Sequence, residues 1–147
     1  MAPTRTREIL ARDTFLNLVR VHERLEADFA ELFREHDLTA AQYNVLRILL
    51  GGPREGASCQ YIGERLLNRV PDVTRLLDRM ERAELVSRVR SAADRRVVLV
   101  SVTTKGSRLC KKLDGPVMEL HQSQLEGIPL KALRALNEGL EAILALR

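Results

Sequence analysis

The sequence has no tryptophan and only 3% aromatic residues, so its core must be built mainly from Leu, Val, Ile and Ala. It has two cysteines, Cys59 and Cys110, far apart and in no CxxC unit, which excludes a disulfide scaffold and a zinc ribbon or finger. Long apolar runs are missing as well. Stretches such as Val97-Val98-Leu99-Val100 fall far short of the ~20 residues that span a bilayer. The basic start, Met1-Ala2-Pro3-Thr4-Arg5-Thr6-Arg7, has no apolar region behind it, so no secretory signal is expected and the chain reads as soluble and cytoplasmic, with no membrane partner. Lysine is scarce: of the 24 basic residues only Lys105, Lys111, Lys112 and Lys131 are not Arg. A polyanionic partner favours Arg, whose planar fork matches phosphates and guanine edges, but on composition alone a GC-rich genome that favours Arg codons is the better explanation of the excess.

What is present suits one domain, or two small lobes sharing a core: 147 residues, 45% of them hydrophobic and 30% charged, with a net charge of +4. There is no GxSxG, no Gly-rich phosphate loop and no visible carboxylate pair, so neither an enzyme nor a cofactor is expected. His22, His36, His121 and the two cysteines show no metal-ligand spacing, and no metal is expected.

Along the chain, Phe15, Leu18, Val19, His22, Leu25, Phe29, Leu32 and Phe33 recur at helical spacing and predict a first helix from about Arg7 to His36. At ~1.5 Å per residue it is ~45 Å long, more than a small lobe needs for itself, so part of its stripe is expected to be covered by a partner chain. Thr39 can cap a second helix, Ala40 to Leu50, stopped by Gly51-Gly52-Pro53, with Tyr43, Leu46, Ile48 and Leu49 turned inward. Ser58 can cap a third, Cys59 to about Leu67, in which Gly63 suggests the close approach of another backbone. Pro71 suits the first position of a fourth helix, with Asp72 in its first turn, where the dipole favours an anion. That helix has an apolar stripe of Val73, Leu76, Leu77 and Met80 and an opposite face of Pro71, Arg75, Asp78 and Arg82, flanked by Thr74 and Arg79. Leu85 to Arg90 and Arg96 to Val102 read as two strands around a polar tip, Ser91-Ala92-Ala93-Asp94-Arg95. Thr103 or Thr104 can cap a fifth helix that Gly115-Pro116 should kink or break, and a last helix runs from Leu130 to Leu146.

A helix-turn-helix followed at once by a hairpin is the winged helix-turn-helix arrangement. One helix fits the major groove of B-form DNA, and an Arg-bearing hairpin tip can reach the adjacent minor groove. Val73-Thr74-Arg75-Leu76-Leu77-Asp78-Arg79-Met80-Glu81, Leu85-Val86-Ser87-Arg88, Asp94-Arg95-Arg96 and Val102-Thr103-Thr104-Lys105-Gly106 together resemble the multiple antibiotic resistance regulator (MarR) family over nearly the whole chain. The resemblance implies a mainly α fold with a small β-hairpin wing. A winged helix-turn-helix DNA-binding region, 37–103, would join a helical dimerisation region, 7–36 and 104–147. It implies a homodimeric transcriptional regulator, most often a repressor. Such a regulator binds a pseudo-palindromic operator in double-stranded DNA and is released by a small phenolic or amphipathic effector, or by an oxidant.

Carried over residue by residue, Thr74 and Arg75 are implied to face the major groove, Arg75 as the base contact, and Arg95 and Arg96 to form the wing pair, with Arg96 entering the minor groove. Pro71, Asp72 and Arg79 join the DNA face, and Ser58, Gln60 and Arg69 can meet phosphates. Asp94 is read as the wing-orienting acid, ion-paired to Arg88 or to a wing arginine. Asp78 with Arg82 makes a helical i,i+4 pair. Val19, His22, Tyr43, Arg47 and Leu109 are the implied lining of an effector pocket, although His22 suits a packed interface position as well. Cys59, in the first turn of a helix where thiolate is favoured, is the better redox candidate, though an inert thiol is the simpler reading. Cys110 reads as a packing residue between dimer helices. The sequence departs from the family at Gly63, where Ala is usual, and at Glu84, where a Gly usually ends the fourth helix. Two other readings remain: a winged helix that binds protein, which has no need of Asp94-Arg95-Arg96, and a non-specific DNA-coating protein, which random-sequence competitor would reveal.

Overall fold

The structure, a computed structural model, describes residues 3–146. Met1, Ala2 and Arg147, at the ends of the segments read above, lie outside the described residues. Six helices and three strands follow in the order α1 (Pro3–Arg34), α2 (Ala40–Leu50), β1 (Ala57–Ser58), α3 (Cys59–Arg65), α4 (Val73–Arg82), β2 (Val86–Arg90), β3 (Val98–Val102), α5 (Thr104–Leu125) and α6 (Leu130–Leu144). The mainly α winged-helix architecture is as expected, with one addition. The two-residue β1 joins the hairpin to make an antiparallel sheet ordered β1-β3-β2, with Ala57 opposite Val100. Gly56 makes that pairing feasible. Its φ is +104°, and a Cβ there would lie 2.6 Å from Ser101 Oγ and 2.9 Å from the Val100 carbonyl oxygen.

Local chemistry sets most helix ends. α1 stops at Arg34, two residues before the expected end, because Asp37 turns left-handed at φ 54° and the Leu38 N–H closes back on the Phe33 carbonyl at 3.0 Å. Thr39 caps α2 in a capping box whose second half is the Gln42 side chain accepting from the Thr39 N–H at 2.9 Å. Ser58 caps α3, which ends at Arg65 rather than Leu67. α4 begins two residues later than expected, at Val73. Pro71 lies outside it, and Asp72 is its N-cap rather than a first-turn residue, accepting from the Arg75 N–H at 2.9 Å. A carboxylate can satisfy an otherwise orphaned N–H directly, which outweighs the looser pull of the dipole.

The end of α4 shows how it manages without glycine. Glu84 takes the left-handed conformation at φ 60°, and the Leu85 N–H closes on the Met80 carbonyl at 2.9 Å. A non-glycine residue held there costs about 1 kcal/mol. Glu84→Gly is therefore expected to raise stability by about 1 kcal/mol, and the melting temperature by a few degrees. Thermal denaturation followed by circular dichroism checks this; a fall would show that the 3.7 Å Glu84–Lys105 pair matters more than the backbone.

Two further expectations change. α5 runs unbroken through Pro116, because both halves are fastened elsewhere. Before the proline, Cys110 and Leu113 are fully buried; after it, His121 packs on Phe29 and Gln124 bonds to Leu25 and Asp28 of α1. Tertiary contacts on both sides hold a helix that the proline alone would interrupt. At Gly63 no backbone comes close: a Cβ would meet only Val73 Cγ2, at an ordinary 3.5 Å. The intimate glycine is Gly106, where a Cβ would collide with the Leu85 carbonyl oxygen.

One core joins these parts. Val45, Leu46, Ile62, Leu76, Leu77, Met80, Val86 and Val100 pack with Phe33 of α1 and with Cys110 and Leu113 of α5. The segments expected to dimerise therefore also complete the core of the winged unit. Their far ends are bare: Leu10 and Phe15 of α1 are 62% and 65% exposed, and no residue of α6 is buried. Among the described residues no helix is long and apolar enough to cross a membrane.

Candidate nucleic-acid interface

α3, α4 and the wing present their polar residues on connected surface. Ser58 accepts from the Tyr61 N–H at 3.1 Å, which leaves its hydroxyl hydrogen free to donate outward. Gln60 is exposed and donates to Glu64 within its own helix, at 2.8 Å. The turn from α3 to α4 hangs from α2, where the Asn44 side chain accepts from the Leu67 N–H at 2.8 Å, and Arg69 stands exposed on it. Asn44 could not be singled out from sequence, because its partner lies 23 residues away. Thr74, Arg75, Arg79 and Arg82 are exposed along α4. Val70, Pro71, Asp72, Arg75, Asp78, Arg79 and Arg82 line a groove of about 460 Å³. Because Asp72 caps the helix, the Arg75 backbone is held at the start of α4, where Arg75 lines this groove.

The wing tip is a hydrogen-bonded turn. Ser91 Oγ accepts from the Ala93 and Asp94 N–H groups, at 3.2 and 3.4 Å, and Asp94 Oδ1 accepts from the Arg96 N–H at 2.9 Å. Asp94 thus caps this turn. It makes no ion pair with Arg88. Arg88 instead leaves the strand for α4, where it meets Asp78 at 2.6 Å and Glu81 at 3.7 Å. Asp78 in turn pairs with Arg88 rather than with Arg82. A guanidinium reaching in from a packed strand is better placed than a neighbour on the same exposed helix face, so the local i,i+4 pair does not form. Arg90, which sequence reading passed over, braces the tip by donating to the Arg95 carbonyl at 2.9 Å. Arg95 and Arg96 are exposed. Among the described residues Arg69, Arg75, Arg79, Arg82, Arg90, Arg95 and Arg96 have no carboxylate within ion-pair distance, so α4 and the wing together present uncompensated positive charge.

Comparison with known proteins agrees with this geometry. A family model described as MarR family matches residues 36–97. The solved structure of a MarR transcription factor from Planctomyces limnophilus shares 37% sequence identity, covering 89% of this chain and 95% of that chain with a TM-score of 0.70. The chain belongs to the MarR family. The homoprotocatechuate degradative operon repressor of Escherichia coli is 26% identical over 129 residues, 88% of this chain and 86% of that protein. BpsR of Bordetella bronchiseptica, whose DNA binding is regulated by 6-hydroxynicotinic acid, is 25% identical, covering 88% of this chain and 91% of its own, with a TM-score of 0.78.

In this MarR-family chain the five residues read as an effector pocket do not all meet within one protomer. Tyr43 stacks on Phe33 with ring centroids 4.7 Å apart. Arg47 pairs with Asp114 of α5 at 2.7 Å, and Leu109 packs against the edge of the core. His22 pairs with Glu26 at 3.3 Å in solvent, and Val19 is exposed. Phe33 lies eleven residues beyond His22, about 16 Å along the helix axis, so Val19 and His22 stand well away from Tyr43. Burial, and after it the neighbouring Cys110, hold the Tyr43 hydroxyl above its ordinary pKa, against the pull of Arg47.

Cys110 is a core residue of the protomer rather than a packing residue between dimer helices. Burial pushes its thiol above the ordinary range, against the Arg47 guanidinium beside it. Its protonated form is favoured in the folded chain, so this stabilisation is complete below the ordinary thiol pKa and is lost as pH rises through the raised one. Native protein at pH 8 is expected to leave Cys110 unmodified by iodoacetamide and to expose it on denaturation. Peptide mass mapping reads this directly, and native labelling of Cys110 would show an opening of the α2–α5 contact. Among the described residues no three His, Cys, Asp or Glu converge as a metal site.

Proposed function

We propose that the chain is a sequence-specific, DNA-binding transcriptional repressor, acting in the cytoplasm as a homodimer, and a regulator rather than an enzyme. The observation that carries this reading is the row of uncompensated arginines on α4 and the wing, held by Asp72 at one end and the Asp94 turn at the other. Arg75 and Thr74 are the major-groove readers, and Arg95 and Arg96 enter the flanking minor groove. The Ser58 hydroxyl and Arg69 meet phosphates, and Gln60 can join them only by leaving Glu64. Asp72 serves as the cap rather than as a contact.

The dimer is supported by the bare apolar ends of α1 and α6, the dimerisation regions being 7–36 and 104–147. Leu130, Leu136, Ile143 and Leu144 are exposed on α6, and a groove of about 400 Å³ between the helices is lined by Leu18, Val21, Leu25, Leu133 and Leu140. Release by a small amphipathic or phenolic molecule is supported by the behaviour of the BpsR relative. Within one protomer the groups best placed to receive such a molecule are Tyr43, Arg47 and Leu109, while Val19 and His22 are exposed on α1.

The test is a binding titration against the intergenic DNA upstream of the chain's own gene, beside a scrambled duplex, at two salt concentrations. Binding that resists scrambled competitor and weakens steeply with salt is expected. Equal binding to both duplexes would favour the non-specific reading and overturn the proposal.

A further inference from the structure

The geometry points to Asp78 as a specificity-determining residue that acts without touching DNA: with Arg88 it sets the spacing between the helix that reads the major groove and the wing that reads the minor groove. This inference rests on the reading of α4 and the wing as DNA-binding elements.

Three observations carry it. The first is where Asp78 sits. It lies in the α4 groove among Arg75, Arg79 and Arg82, yet its carboxylate bonds to none of them; it takes Arg88 Nη1 of β2, at 2.6 Å. The second is that Arg88 grips α4 along two turns. Nη1 also faces Glu81 at 3.7 Å, and Nη2 donates to the Thr74 carbonyl at 3.3 Å, immediately before Arg75. The third is that Arg88 is not a surface side chain that happens to find a partner. It pairs in register with the fully buried Val100, its side chain is only 21% exposed, and its Nε is buried with no hydrogen-bond partner among the described residues. A guanidinium kept there despite an unsatisfied donor works as a pin at the base of the wing. Beyond that pin the hairpin leads directly to Arg95 and Arg96, so the angle of the pin sets their distance from Arg75.

Two effects then oppose each other at Asp78. By Coulomb's law alone, removing a carboxylate from a face that meets phosphates should tighten binding to any DNA. Loosening the wing should weaken binding only where the major and minor grooves must be read together. Non-specific duplex feels the first effect alone, and a true site feels both.

The experiment uses the full-length protein and a duplex selected by the wild type from a random-sequence pool, with a scrambled duplex of the same composition beside it. Asp78→Asn is expected to bind the selected duplex at least tenfold more weakly and the scrambled duplex equally or more tightly. Hydroxyl-radical protection should be lost at the flanks, where the wing lies, and kept at the centre of each half-site. Arg88→Lys keeps the charge but loses the planar fork, and is expected to shift binding in the same direction by less. It also serves if Asp78→Asn folds poorly by circular dichroism. Unchanged or tighter binding to the selected duplex by both variants overturns the inference, and so does an equal loss on both duplexes, the mark of a merely structural pair. A wild type that selects no preferred duplex overturns the proposed function and this inference with it, whereas failure of the variants alone leaves that function standing.

Discussion

Gly106→Ala is expected to lower stability by about 3 kcal/mol and the melting temperature by roughly 10 °C. Gly106 opens α5 just past its Thr103 cap, and a Cβ there would collide with the Leu85 carbonyl oxygen while pressing Val102 Cγ2 at 3.0 Å and Leu46 Cδ2 at 3.1 Å. The obstacle cannot swing aside as a side chain tip would. That carbonyl accepts from the Thr103 N–H at 3.1 Å, while the Thr103 hydroxyl donates to the neighbouring Glu84 carbonyl at 2.6 Å and its oxygen accepts from the Gly106 N–H at 3.0 Å. Making room therefore means parting α5 from the end of α4 and giving up hydrogen bonds worth about 1 kcal/mol each. Gly63→Ala is the control, because its Cβ meets only ordinary contact, and it is expected to gain about 0.5–1 kcal/mol from the lower cost of Ala in a helix. Thermal melts of the two variants decide it; equal melting temperatures would mean that α5 can withdraw from Leu85 freely.

Arg75→Ala is expected to cost about 1–3 kcal/mol on a selected duplex, roughly five- to 150-fold in affinity, and far less on scrambled DNA. Its guanidinium has no carboxylate partner among the described residues, and its backbone is held by the Asp72 cap at the start of α4, where a helix end enters a groove. A bidentate contact to guanine carries discrimination, whereas a phosphate contact carries only affinity. Competition titrations with single-base variants of the selected duplex separate the two. A uniform loss at every position, with a shallower salt dependence, would reassign Arg75 to the backbone and leave base reading to Thr74 or the wing.

The residues behind these expectations differ in how far the sequence reveals them. Thr39 and Ser58 were legible as helix caps, and Thr103 as one of two candidates beside Thr104, because a cap acts within three or four residues. The apolar stripe of α4 was legible because all its members share one helix face. The polar turn that carries Arg95 and Arg96 was legible from composition, and the order of these pieces was enough to suggest a winged helix. Asp72 stands at the start of α4 but with a different task from the expected one, since a first-turn acid after Pro71 and an N-cap differ by two residues, within the spread of a helix boundary read from sequence.

Other features depend on which segments meet. β1 is too short to show any pattern and exists only because Gly56 lets Ala57 lie against Val100. The choice of Asp78 over Asp94 as the partner of Arg88 follows from the strand register that turns Arg88 toward α4. The unbroken path of α5 through Pro116, the close approach at Gly106 and the burial of Cys110 are likewise settled by packing against α1, α2 and the end of α4. The sequence by itself determined what short-range forces can write: where most helices begin, which faces are apolar, and which exposed arginines stand ready for a polyanion. Only the tertiary structure decided which charges are paired and which remain free, because the sign and strength of each such choice depend on neighbours that the chain brings together from far along its length.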